Sequence, residues 1–372
     1  MEVASSQLPV PRRDELREPE TSEDRWGGHG LAELVPPEIW LLESGDWPPA
    51  AWLPTLPAVL PFQPPAGAIR VARVAMATRF ELFLTGPRPG SLRAAAEEAL
   101  DEIDRVEGWL SPYRPGSELV RLHREGVGRP LRVDPRLFHF LQYARELTLQ
   151  TGGTFDPTVA PLLRAWGFVG GDPIAPNPDA IAAARELVGW QHIELDVEHG
   201  TVCLLRPGVE IHPGAVGKGY ALDRALEILR EAGVENALAH GGTSTVCGLG
   251  TAPDGNGWPV SLPDPPPASG AGWPEDGAPR IHLRDTTLSV SATWGRNPEG
   301  DPHRAGHVLD PCTGEPVTGR ILAAVELPRA AESDAWSTAL LVGGNAVTTG
   351  MGRGRWWTLP STAPFDTERA SL

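Results

Sequence analysis

Residues 209–248 read VEIHPGAVGKGYALDRALEILREAGVENALAHGGTSTVCG. The pattern is a short strand from Val209, then a turn with Gly214, Gly217 and Gly219 around Lys218. A long helix ending at Gly233 follows, then a second strand and a second glycine turn at Gly241-Gly242. Such turns suit phosphate or nucleotide chemistry. Glycine lets the backbone approach a bulky anion, the first N–H groups of a helix lack partners, and the helix dipole favours negative charge there. Lys218 adds a point charge. The spacing is neither GxGxxG nor GxxxxGK[ST], so neither of those mechanisms transfers. A glycine-rich helix start with a solvated lysine is the structural alternative, and this segment alone leaves both open.

On the N-terminal side, IRVARVAMATRFELFLTG (69–86) alternates apolar and polar residues around Met76-Ala77-Thr78 and predicts two strands with a break. From Ser91, apolar residues spaced three and four apart (Leu92, Ala96, Ala99, Ile103, Val106, Leu110) predict a helix. SPYRPGSELVRLH (111–123) reads as a loop. Asp134-Pro135 supplies a cap and first-turn proline for a helix that Gly152 stops. TFDPTVAPLLRAWGF reads as a turn and short helix, and Asn177-Pro178-Asp179 begins another. Beyond Gly248, a Pro/Gly-rich loop (262–280) lies between strands. Strands are expected at Leu288–Ser291, His307–Leu309 and Ile321–Leu327, and a helix at Ser333–Val342.

Composition separates three regions. Residues 1–66 hold 12 of the 40 prolines, 11 acidic residues against four arginines, and Trp26, Trp40, Trp47 and Trp52. This acidic Pro/Trp-rich extension is expected to be partly disordered and partly docked on the body. Residues 67–343 form the expected folded domain, and 344–372 an irregular tail. The net charge of -16 argues against nucleic-acid binding but leaves room for a bound anionic cofactor. Cys203, Cys247 and Cys312 lie far apart, so neither a zinc site nor a disulfide framework is expected. No apolar run long enough to span a bilayer occurs, and the first residues lack a signal pattern, which predicts a cytoplasmic protein without a membrane segment.

Three constellations could carry chemistry. Asp334 and Thr338 stand four apart, on one face of a helix, and could hold a hard divalent cation. Alternatively, Asp334 caps its helix at an exposed start and Thr338 bonds back to a carbonyl. His307 and Asp310 flank a turn in which Asp310 has the ordinary Asx role. Asp156 sits before Pro157, where a capping role is the default. The absence of GxSxG and HExxH leaves hydrolase and zincin readings without support.

Eight segments occur in a telling order: MATRF, LSPYRPGSELVRLH, GGTFDPTVAPLLRAWGF, HPGAVGKGYALD, ALAHGGTSTVCG, LSVSA, GHVLDPCTGEPV and SDAWSTAL. Together, over about residues 70–343, they resemble the ApbE family of FAD:protein FMN transferases. The resemblance implies an α+β fold of mixed or antiparallel sheets with packed helices and a flavin site between its subregions. It implies FAD as substrate, Mg²⁺, and Mg-dependent transfer of FMN to a Ser/Thr hydroxyl of a target flavoprotein with release of AMP. By position it implies metal binding by Asp334, Thr338 and the carbonyl of Ala215. It implies contacts to FAD from Met76, Tyr113, Thr154, Phe155, Asp156, His212, Lys218, the Gly241-Gly242 turn and Leu309, and catalytic parts for Asp334, Lys218 and His307. A flavin-binding protein without transfer activity, or an FAD pyrophosphatase giving FMN and AMP, is the alternative. Some positions depart from the family pattern: His212 stands where aspartate is usual, Gly217 where alanine is common, and Thr243 where aspartate or asparagine often follows the glycines. Ala77 and Ala292 replace usual glycines.

Overall fold

The alternation in residues 69–86 produces a hairpin of β1 (Ile69–Ala75) and β2 (Thr78–Thr85), paired antiparallel from Ile69–Leu84 to Ala75–Thr78. Its two-residue turn is Met76-Ala77, with φ of 51° and 54°. Two positive φ values are what a tight hairpin turn requires, and glycine or asparagine usually supplies them. The computed structural model describes residues 68–360, apart from 170–175, 266–268, 270, 275 and 294–306. The Pro/Trp-rich extension expected over 1–66 lies outside the described residues.

Helix α1 (Pro89–Leu110) buries Ala96, Ala99, Ile103, Val106 and Leu110, the stripe its spacing predicts. The expected loop at 111–123 contains a helix, α2 (Glu118–Glu125), capped by Ser117, whose side chain accepts the N–H of Val120. Only Leu119 and Leu122 are buried on it, too few for its period to show in the sequence. After β3 (Leu131–Arg132) comes α3 (Pro135–Gln150), where Asp134 accepts the N–H of Arg136. Two short helices follow: α4 (Ala160–Ala165), and α5 (Pro178–Arg185), which Asn177 caps. Strands β4 (Ile193–Asp196) and β5 (Thr201–Leu204) join β3 in a small antiparallel sheet, ordered β3-β5-β4.

The strand expected at Val209 is absent. Residues 209–212 lie outside the sheets because their N–H groups are used elsewhere: Ile211 donates to His123 Nε2 at 3.0 Å and His212 to the Pro157 carbonyl at 2.7 Å. Helix α6 (Gly217–Glu231) leads to β6 (Asn236–Gly241) and β7 (Thr245–Leu249). Then come β8 (Trp258–Ser261), β9 (Arg280–Leu283), β10 (Thr286–Ala292) and β11 (Arg320–Leu327). Helix α7 (Ala330–Gly343) begins three residues before the expected start, and β12 (Arg355–Pro360) closes the order.

Seven strands form one antiparallel sheet, β1-β2-β6-β7-β10-β11-β12. Strand alternation sends Phe80, Leu82, Leu84, Ala323, Val325 and Leu327 into the core beneath α1, α6 and α7. The residues between them, Phe83, Leu238, Val246 and Ala324, pack under the β8–β9 ribbon around Trp258. Two further expectations fail. His307–Leu309 is no strand; Leu309 makes one isolated bridge to Pro316, across the turn that Asp310 opens. The segment after 343 is not irregular throughout: β12 pairs with β11, with Trp356 in the helix-side core and Leu359 on the other. Burial on both faces hides the alternation that marks a one-sided strand. Among the described residues, no helix is long and apolar enough to cross a membrane.

Candidate active site

The site is built where α6 crosses the start of α7. A Cβ on Gly219 would collide with the carbonyl of Ala330 and come within 2.8 Å of the Ala331 Cα, so only glycine admits this approach. One turn along the same face of α6, the Asp223 carboxylate accepts the N–H groups of Ala330 (2.8 Å) and Ala331 (3.0 Å). Helix α7 has no side-chain cap of its own. Asp223 supplies it from a neighbouring helix, satisfying two of the donors that a helix start leaves open.

Asp334 is therefore neither the cap of α7 nor exposed. It is 3% exposed, in the second turn, and accepts the Gly219 N–H at 3.3 Å. The expectation of an exposed helix start fails because α6 and β10 cover this end of α7. Burial pushes the Asp334 carboxyl up, and Lys218 opposes the shift. The two buried aspartates differ in a telling way. Asp223 has both oxygens bonded to N–H groups, with Arg329 at 3.8 Å, whereas Asp334 has one long bond and no ion pair within 4 Å among the described residues. A buried carboxylate so poorly compensated is costly unless a cation joins it.

Near Asp334, α7 and β10 contribute neutral hydroxyls. Ser291 Oγ, at the end of β10, lies 2.8 Å from Ser337 Oγ and 3.1 Å from Thr338 Oγ1. Thr338 also bonds back to the Asp334 carbonyl at 3.3 Å, as its structural alternative anticipates. The Pro213–Ala215 turn packs against α7. No group of three His, Cys, Asp or Glu gathers among the described residues. One carboxylate with hydroxyl and carbonyl oxygens fits a hard cation whose other ligands are water or phosphate, and fits a soft metal poorly.

The glycine turn before α6 is held by His212. Its Nδ1 accepts the Gly214 N–H at 3.2 Å, and its Nε2 lies 2.8 Å from the Tyr113 hydroxyl. An imidazole nitrogen thus does the capping that a carboxylate would do. Lys218 Nζ donates to the Gly214 carbonyl at 3.1 Å. No acceptor among the described residues takes the N–H groups of Gly217 or Lys218, so they remain available to an anion. Upstream, half-buried His123 accepts from Ile211, and desolvation pushes it down to about 4, with Glu210 opposing and Arg164 adding.

The remaining expected residues lie on other elements. Met76 donates its N–H to Glu107, whose carboxyl is raised by burial and countered by Arg114 at 2.7 Å. At the same end of the sheet, a Cβ on Gly242 would strike the Thr78 hydroxyl and one on Gly241 would lie 2.7 Å from the Phe80 ring. Thr154 abuts the end of α7 at Gly343. The side chains of Phe155 and Asp156 serve the fold: Phe155 is in the core, and Asp156 accepts from the Thr158 N–H at 2.8 Å. Leu309 sits in a satellite cluster with Leu162, Trp166 and Ile181, and His307 stands two residues before it, half-buried. Asp223, Glu107, Ser291 and His123 escape the sequence reading. Only Asp223 carries a signal there, its spacing of four from Gly219.

The ApbE family model matches residues 76–351. A relative from Klebsiella pneumoniae named FAD:protein FMN transferase is 29% identical over 294 residues, covering 77% of this chain and 81% of that one. The solved ApbE protein of Thermotoga maritima superposes with a TM-score of 0.71 at 25% identity, covering 81% of this chain and 97% of that one. The flavin transferase ApbE of Vibrio cholerae has the same fold, with a TM-score of 0.69 at 22% identity over 82% of this chain and 98% of that one.

Proposed function

The chain belongs to the ApbE family, and from that membership we propose that it is an FAD:protein FMN transferase, moving FMN from FAD to a Ser/Thr hydroxyl of a target flavoprotein and releasing AMP. The observation that carries the reading is Asp334: a buried, undercompensated carboxylate beside Lys218 and a glycine turn with open N–H groups. Asp334, Thr338 and the Ala215 carbonyl would hold Mg²⁺, which when bound neutralises pyrophosphate charge and eases departure of AMP. Lys218 and the Gly217 and Lys218 N–H groups would hold phosphate oxygens as charge shifts toward the leaving group. His212, by capping the turn through Nδ1, keeps the backbone geometry on which those N–H groups depend. This supports a working site despite the missing carboxylate at that position. Met76, Tyr113, Thr154, Leu309 and His307 are assigned to the flavin side, with His307 assigned to take the acceptor hydroxyl's proton. Phe155 and Asp156 would shape the same wall through their fold roles.

Incubation of the protein with FAD, Mg²⁺ and a flavoprotein fragment bearing a Ser/Thr acceptor tests this directly. Flavin fluorescence that stays on the denatured fragment is the expected result. Free FMN and AMP without labelled fragment would point to a pyrophosphatase, and bound, unchanged FAD to a carrier.

A further inference from the structure

Outside the groups already assigned, the outer face of the sheet carries a bonded relay that ends on the second glycine turn. Glu81 on β2 and His240 on β6 are direct cross-strand partners. Glu81 is 7% exposed; its Oε1 takes Arg70 and Arg79, each at 2.6 Å, and its Oε2 takes His240 Nε2 at 3.0 Å. Burial alone would raise this carboxyl, but His240, Arg70 and Arg79 outweigh it and hold it down to about 2. The other ring nitrogen, His240 Nδ1, lies 3.1 Å from the Gly242 carbonyl. A carbonyl and an ionised carboxylate only accept, so Nδ1 donates to Gly242 and Nε2 donates to Glu81. Phe83 stacks on the ring from the same face, with centroids 6.2 Å apart.

Gly242 begins a three-residue turn, Gly242-Thr243-Ser244, between β6 and β7. Its own N–H donates to the Arg79 carbonyl at 2.8 Å, which fixes one side of the residue. A peptide unit is planar and trans, so the Gly242 carbonyl and the Thr243 N–H point in opposite directions from one plate. Whatever holds the carbonyl also aims the N–H. Glycine at φ of 64° would otherwise let this plate turn over at little cost. Beyond it, no acceptor among the described residues takes the N–H groups of Thr243 or Ser244, and Ser244 Oγ is buried without a hydrogen-bond partner. Unpaired donors that gather on one turn call for a ligand.

We propose that His240 is a positioning residue that locks the Gly242-Thr243 peptide, so that the Thr243 N–H, the Ser244 N–H and Ser244 Oγ face the bound FAD as fixed donors. Glu81 orients the imidazole, and Arg70 and Arg79 hold Glu81. The inference rests on the FMN-transferase reading and adds to it a residue to which the resemblance gives no role. It concerns binding rather than chemistry, since these donors hold FAD equally before and during transfer.

The test is FAD titration by fluorescence quenching on the full chain, with kcat and KM for transfer measured alongside. H240F keeps a ring but no donor. It should raise the Kd and KM for FAD about tenfold, the loss of one well-placed donor, while kcat stays within twofold. E81Q leaves the ring in place and should give about threefold. R70A removes one of the two ion pairs on Glu81 Oε1, with Arg79 retained, and should raise Kd no more than E81Q does. Should H240F fail to fold, E81Q decides. Unchanged affinity in the folded variants, or an R70A effect as large as that of H240F, overturns the lock while leaving the transferase reading intact. A parent protein that binds no FAD overturns both.

Discussion

At Asp334 a single carboxylate faces two opposing demands. Buried beside one long hydrogen bond, its charge destabilises the metal-free protein, yet that same charge is what a hard cation would need. The opposition gives a sharp prediction. Asp334→Asn keeps the shape and removes the charge, so the metal-free protein should be more stable at neutral pH, while Mg²⁺-dependent transfer falls by about two orders of magnitude or more. Chemical denaturation and a transfer assay on the same preparation check both halves. Thr338→Ala should cost only about tenfold in activity, because a neutral hydroxyl contributes less than a carboxylate. Stability that drops in Asp334→Asn would return the residue to a structural role.

Helix α7 has no cap of its own and holds its first two N–H groups against a carboxylate from α6. The two helices are therefore one device: Gly219 permits the approach, Asp223 fixes the start of α7, and Asp334 follows one turn later. Asp223→Ala should destabilise the protein by about 1–3 kcal/mol, the range for losing a cap and leaving buried donors unpaired. It should also weaken apparent Mg²⁺ affinity by misplacing Asp334. Asp223→Asn, which retains an acceptor oxygen, should lie between. Denaturation midpoints and Mg²⁺ titrations of transfer rate report the two effects separately, and an unchanged Mg²⁺ response in Asp223→Ala would uncouple the cap from the site.

At the scale of the whole molecule, half-buried His123 on α2 accepts the Ile211 N–H through Nε2 just before the site turn, which ties α2 to the segment leading into α6. The folded state holds this imidazole neutral down to about 4, whereas an unfolded histidine protonates near 6.5. Its contribution is complete above about 6.5 and is lost as pH falls toward 4, because the unfolded chain takes a proton that the fold refuses. At pH 5 the loss is about 2 kcal/mol. His123→Gln removes the titration. Urea denaturation at pH 7.5 and 5.0 should show a smaller acid loss in the variant than in the parent by about that amount, and equal losses would refute the assignment.

The sequence by itself determined the elements whose residues have one job. The β1–β2 hairpin, the apolar stripe of α1, the Asp134 cap of α3 and the glycine turn before α6 each follow from local spacing or backbone chemistry. It also determined the family resemblance, since eight motifs in order need no coordinates. Only the tertiary structure decided matters that depend on a distant neighbour. Helix α2 and strand β12 stayed hidden, one because it buries two leucines, the other because both its faces are covered. Asp334 reads from the sequence as an exposed cap, and only the crossing of α6 and α7 buries it and hands the capping to Asp223. The relay from Glu81 through His240 to Gly242 joins residues 159 apart in the chain at its first bond. No local pattern can encode such a pairing, because strand register, set by burial over the whole sheet, is what brings the two side chains together.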